Sequence, residues 1–181
     1  MSNDVRGLFP DDVKENFEFF SYRNAAVLLK SRYPVIFEDF ITSLRRLRVT
    51  KTMVRRPGGS KGPIVEHIDE CIGSSWRREA RISADLHVEI KTKKPPLTDQ
   101  YKKPGFLDGH QIDYLFEKVA LDVEWNSKDQ TFDRDLYAFS AFYQADAIDL
   151  GIILTRGCSV DETDFLRKLG NVLNKDGSEG T

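Results

Sequence analysis

The chain has 181 residues, 40% of them hydrophobic and 31% charged, and its 27 basic and 29 acidic side chains leave a formal net charge of −2. That is enough chain for one domain with a full core, and it excludes a disordered segment. It also excludes a membrane helix, since no apolar run approaches the roughly 20 residues of a span. The residues after Met1, Ser2-Asn3-Asp4, carry neither the basic nor the apolar stretch of a secretory leader, so the expected location is cytoplasmic. Cys71 and Cys158 lie far apart at no metal-binding spacing and read as reduced thiols.

In chain order, Asp11 and Asp12 after Pro10 give a helix start, and Phe17, Phe20, Ala25, Leu28 and Leu29 continue at helical spacing. Pro34 opens a second helix whose apolar face is Ile36, Phe37, Phe40, Ile41, Leu44 and Leu47. It runs into Arg45, Arg46, Arg48, Lys51, Arg55, Arg56 and Lys61, a basic block without an acid that can neutralise phosphates or be a solvated helix end. Pro57-Gly58-Gly59 places a flexible loop over residues 54–63. Residues 84–91 alternate as a half-buried strand, with Leu86, Val88 and Ile90 on its inner face, and Pro95-Pro96 ends it in a loop over residues 93–105.

Residues 111–116 and 119–125 form a hairpin turning at Glu117-Lys118. The register pairs Phe116 with Val119, Leu115 with Ala120, Tyr114 with Leu121 and Asp113 with Asp122. One face is then wholly apolar, and the other carries Asp113, Asp122 and Glu124. Glu-Lys is not the Asn-Gly type of turn that two-residue hairpins prefer, so a longer loop with a bulge remains an alternative. Residues 132–145 read as a helix through Leu136, Phe139, Ser140 and Tyr143, with Asp133 and Asp135 at its start. A buried strand follows over residues 147–155, and strand–helix–strand implies a parallel crossover. Ser159-Val160-Asp161-Glu162 resembles a capping box for a last helix with Phe165, Leu166, Leu169, Val172 and Leu173, before a polar tail from Lys175. The fold class is α/β: a mixed sheet flanked by helices.

Paired residues on one hairpin face bring Cβ atoms to within about 5 Å, and like charges so placed repel unless a cation lies between them. A hard divalent ion with oxygen ligands, Mg²⁺ in the cytosol, answers that repulsion. The bland alternative is a solvated acidic face. His67, His87 and His110 have no zinc spacing, although His110 lies three residues before Asp113 and could approach it.

The segments His110-Gln111-Ile112-Asp113-Tyr114, Val119-Ala120-Leu121-Asp122-Val123-Glu124-Trp125-Asn126-Ser127-Lys128-Asp129, Phe132-Asp133-Arg134-Asp135-Leu136 and Gly151-Ile152-Ile153-Leu154-Thr155-Arg156 resemble the restriction endonucleases related to BglII, over about a quarter of the chain. The resemblance implies a restriction-endonuclease-like (PD-(D/E)xK) fold in one nuclease domain over residues 1–181. Within it, residues 1–50 form a helical N-terminal part, 51–63 a basic loop and 80–175 the catalytic core. It implies a type II site-specific deoxyribonuclease that hydrolyses double-stranded DNA at a short palindrome with Mg²⁺, works as a homodimer, and has a DNA methyltransferase in the same host. Carried over by residue, Asp113, Asp122 and Glu124 are the catalytic acids, and Asp113, Asp122 and the Val123 carbonyl are metal ligands. Arg55, Arg56, Lys61 and Lys128 are the expected DNA contacts. Such proteins are expected to continue beyond the helix ending near Asn174, so a non-catalytic DNA-binding member stands as an alternative, beside a repair nuclease of the same fold.

Overall fold

The computed structural model describes residues 5–56, 62–125, 129–157, 170–174 and 176–179. Packing divides the chain into two units. One comprises Met1–Trp76, Val123–Asn126 and Ile153–Thr181, and the other Arg77–Asp122 and Ser127–Ile152.

The first unit is helical over its N-terminal stretch: α1 (Asp11–Lys14), α2 (Ala25–Arg32), α3 (Pro34–Arg46), α4 (Lys51–Arg55) and α5 (Pro63–Cys71). The continuous helix expected through Phe17 and Phe20 is broken. Arg23 and Asn24 adopt φ of 49° and 61°, left-handed values that no α-helix tolerates, and Phe20 stands in solvent. α3 matches expectation: Pro34 sits in its first turn, where the missing N–H costs nothing, and Ile36, Phe37, Phe40, Ile41 and Leu44 are buried. Thr50 caps α4 by accepting the Met53 N–H at 3.3 Å, so the basic block has regular structure as far as Arg55. Trp76 is a core residue, with its indole N–H donating to Asp39 Oδ2 at 2.7 Å. The expected last helix falls mostly outside the described residues. The chain near its end is not a simple tail: Leu173 bridges to Glu179, and its N–H donates to the Arg55 carbonyl at 2.8 Å.

The sheet has the order β1 (Arg77–Lys93), β2 (Pro96–Phe116), β3 (Val119–Glu124) and β4 (Leu150–Thr155); β1 and β2 fall wholly in the second unit, as do β3 to Asp122 and β4 to Ile152. β1, β2 and β3 are antiparallel neighbours. β4 joins through the helical crossover α6 (Asp129–Gln144), which makes the sheet mixed, as expected. The hairpin register is the expected one: Tyr114↔Leu121, Leu115↔Ala120 and Phe116↔Val119, with Glu117 at φ 52° making the two-residue turn without a bulge.

Two expectations fail along β1 and β2. The loop over residues 93–105 is strand from Pro96 onward, paired as Lys93↔Pro96, Thr92↔Leu97 and Val88↔Tyr101. The inner face of residues 84–91 is not buried: every residue from 85 to 106 is exposed, Leu86, Val88 and Ile90 included. Backbone pairing between the two strands, rather than burial, holds this arm. In α6 the buried stripe is Asp135, Ala138, Phe139 and Phe142, while Leu136, Ser140 and Tyr143 of the expected face are exposed. Phe139 lies so close to β4 that a methyl group on Gly151 would collide with its ring. Among the described residues, no helix is long and apolar enough to cross a membrane.

Candidate active site

The hairpin ladder between β2 and β3 extends back as far as Tyr114↔Leu121, one pair short of the two acids. There the Asp122 side chain takes over from the backbone: the Asp113 N–H donates to Asp122 Oδ1 at 2.8 Å. Asp122 is therefore not on a solvated face. It is 3% exposed, because the sheet is covered on this side as well and Leu115 and Ala120 are buried beside it.

The other carboxylate oxygen, Asp122 Oδ2, lies 3.7 Å from His110 Nε2. From α6, Asp135 brings a second buried carboxylate, 1% exposed, into the same place. One atom each from His110, Asp122 and Asp135 lies within 4.8 Å of the other two. Arg134 holds the far side of Asp135, with Nε and Nη2 at 3.1 and 3.0 Å from Oδ1. Among the described residues, His110 Nε2, Asp122 Oδ2 and Asp135 Oδ2 are buried without a hydrogen-bond partner.

Burial pushes the Asp122 carboxyl up to about 6, and the charges of Asp113 and Asp135 push the same way. The Asp113 N–H and the His110 ring oppose them. Orphaned buried oxygens and mutually repelling carboxylates are costly by themselves and favourable around a cation. The residues present thus fit a divalent metal ion.

Asp113 is half-buried on β2. Val123 and Glu124 end β3, both half-buried, and the Glu124 carbonyl accepts the Thr155 hydroxyl at 2.7 Å. Arg55 is engaged within the protein, donating through Nε to the Asn171 carbonyl at 2.7 Å and through Nη2 to Glu179 Oε1 at 2.6 Å. Arg56 is exposed at the end of α4. Lys61 and Lys128 lie outside the described residues, as does Cys158. Cys71 is buried 3.8 Å from His67 Nε2, but burial and Glu70 raise its thiol pKa, which argues against a nucleophile.

Asp135 is the member of this cluster that sequence reasoning passed over, as an acid placed to suit the helix N-terminus. Its signal was present: residues 135, 138, 139 and 142 form a helical stripe in which an aspartate stands among Ala138, Phe139 and Phe142. A charged group in an apolar stripe marks a buried polar site.

Among curated proteins none matches the sequence. The family model described as restriction endonuclease BglII/BglIII matches residues 17–176. With a mixed sheet, flanking helices and a carboxylate cluster at the parting of its central hairpin, the chain belongs to the BglII/BglIII restriction endonuclease family, whose members hydrolyse DNA with divalent metal ions.

Proposed function

We propose that this chain works as one nuclease domain, a type II restriction enzyme that cuts double-stranded DNA at a short palindrome with Mg²⁺. The observation that carries the proposal is Asp122: a buried carboxylate beside Asp113, with one oxygen fixed by a backbone N–H and the other without a hydrogen-bond partner among the described residues. Such a group is stable when ionised only if a cation meets it. In this reading Asp113, Asp122 and the Val123 carbonyl hold the ion, and Glu124 orients the attacking water. The bound ion supplies Lewis acidity: it polarises the phosphodiester, lowers the pKa of water and offsets charge on the leaving oxygen.

Exposed Arg56, with Lys61 and Lys128, supplies phosphate contacts that hold DNA without reading its sequence. Arg55 lies beside Arg56 but is already committed to Asn171 and Glu179, so its part in DNA binding is indirect. A homodimer is supported by the outer face of α6, where Leu136, Tyr137 and Tyr143 are 57%, 75% and 62% exposed, an apolar patch suited to a second copy. A palindromic target follows from that symmetry, and host DNA then needs a matching methyltransferase.

The test is incubation of the purified protein with phage-sized DNA in Mg²⁺ and in EDTA, beside Asp113→Ala. Discrete fragments that need Mg²⁺ and vanish in the variant are the expected result, and their ends give the target. Intact DNA in every lane would overturn the catalytic reading in favour of a DNA-binding member.

A further inference from the structure

We infer that the β1–β2 arm is a dimerisation arm, whose apolar face packs on the same face of the arm of a second copy, antiparallel, about a two-fold axis at Tyr101. The inference rests on the homodimer proposed above and names a contact that holds it.

The arm has a defined root. Register shifts between Ile82 and Ala84 and between Ala84 and Leu86 interrupt the ladder, and Gly105, at φ 62°, donates its N–H to Asp85 Oδ1 at 2.9 Å. Such irregularities bend a strand and sharpen its twist. Beyond the root the pairing is regular, from Leu86↔Lys103 to Lys93↔Pro96. That register sorts the side chains. Leu86, Val88, Ile90, Leu97 and Tyr101 share one face and are 36 to 57% exposed. The other face is polar, and its groups meet one another: Glu89 pairs with Lys91 and accepts from Gln100 Nε2 at 3.1 Å. A two-stranded ribbon is at best marginally stable by itself in water. Five apolar side chains together on one face of it mark an interaction surface.

Charge selects the occupant. Between Leu86 and Lys103 the apolar face carries two charged residues, Asp99 and Lys103, opposite in sign and each two residues from Tyr101 on β2. A two-fold axis running across the ribbon at Tyr101 sets Asp99 of each copy opposite Lys103 of the other copy, and Leu86 opposite Ile90. Packed sheets lie about 10 Å apart, a gap that an aspartate and a lysine span together. Turning the copy about the long axis of the ribbon instead would set Asp99 against Ile90 and Lys103 against Leu86, covering both charges without partners. Lys103 Nζ lies 5.7 Å from the centre of the Phe106 ring, an exposed contact that leaves its N–H donors available to a carboxylate. A face that is its own complement fits a second copy of this chain.

The experiment is analytical ultracentrifugation of the full chain without DNA or metal, on variants first shown to be folded. Wild type should be a dimer. Asp99→Lys sets lysine against Lys103, and Lys103→Asp sets aspartate against Asp99. Each variant alone should raise the dimer Kd by more than about tenfold, since like charges placed together at an interface cost several kcal/mol. Mixed one to one, the two variants form complementary pairs at both ends of the contact, and the dimer should return, which no folding defect can imitate. A dimer indifferent to both variants, or variants that stay apart when mixed, would overturn the inference and leave the homodimer standing. Loss of the indifferent dimer in Leu136→Asp would then put the second copy on α6, and weaker DNA binding by Lys103→Asp would make the arm a DNA contact. A monomeric wild type would remove the homodimer itself and the inference with it.

Discussion

The Asp113 N–H reaches Asp122 Oδ1 at 2.8 Å just where the β2–β3 ladder stops. The bond turns a hairpin into a site. It anchors one oxygen of a buried carboxylate and leaves the other 3.7 Å from His110 Nε2, in the cluster that includes Asp135.

The pH dependence of stability should carry the mark of Asp122. Its carboxyl is raised from 3.8 to about 6 on folding, chiefly by burial. A native pKa above the unfolded one means that the folded chain binds the proton more tightly, so metal-free stability falls as pH rises through the window between those values. The loss is up to about 3 kcal/mol, of opposite sign to that of a salt-bridged carboxylate. Asp122→Asn keeps the shape and the acceptor for the Asp113 N–H but removes the charge. Without metal at pH 7.5 it should melt a few °C higher than wild type, and near pH 4 the advantage should vanish. A lower melting temperature at pH 7.5 would show that the ionised carboxylate is already satisfied within the protein.

Gly151 is set by packing. A Cβ there would strike the Phe139 ring, so α6 can lie against β4 only where β4 has no side chain. Gly151→Ala should cost about 1–3 kcal/mol in urea denaturation. A loss below about 0.5 kcal/mol would mean that the helix has room to move.

Two neighbouring arginines should separate stability from DNA binding. Arg55→Ala removes the bonds to Asn171 and Glu179 and should lower stability by about 1 kcal/mol. Exposed Arg56→Ala should leave stability within about 0.5 kcal/mol of wild type. It should also lower the slope of log binding constant against log salt by about one, as expected for one lost phosphate contact. An unchanged slope would remove Arg56 from the DNA surface.

What the sequence made legible follows from what leaves a pattern in it. The β2–β3 register could be read because a period of two with one wholly apolar face admits a single pairing, and Tyr114↔Leu121 is that pairing. The burial of Asp122 could not, because whether the second face of a strand is covered depends on elements far off in the chain. The strand continuing from Pro96 left no signal: with residues 85–106 exposed on both faces, burial imposes no alternation on it. The break at Arg23 and Asn24 puts two successive residues at positive φ, and although asparagine tolerates that conformation, arginine gives no sign of it. The bond from the Leu173 N–H to the Arg55 carbonyl joins parts of the chain more than a hundred residues apart, beyond any local pattern.

The most direct test of the central claim is single-turnover, Mg²⁺-dependent DNA cleavage by wild type and Asp122→Asn at pH 7.5, each first shown to be folded. If the buried carboxylate holds the catalytic metal, losing its charge removes several kcal/mol of transition-state stabilisation, and the cleavage rate should fall by about 10³-fold or more. A folded variant that cleaves within about tenfold of wild type would contradict the account.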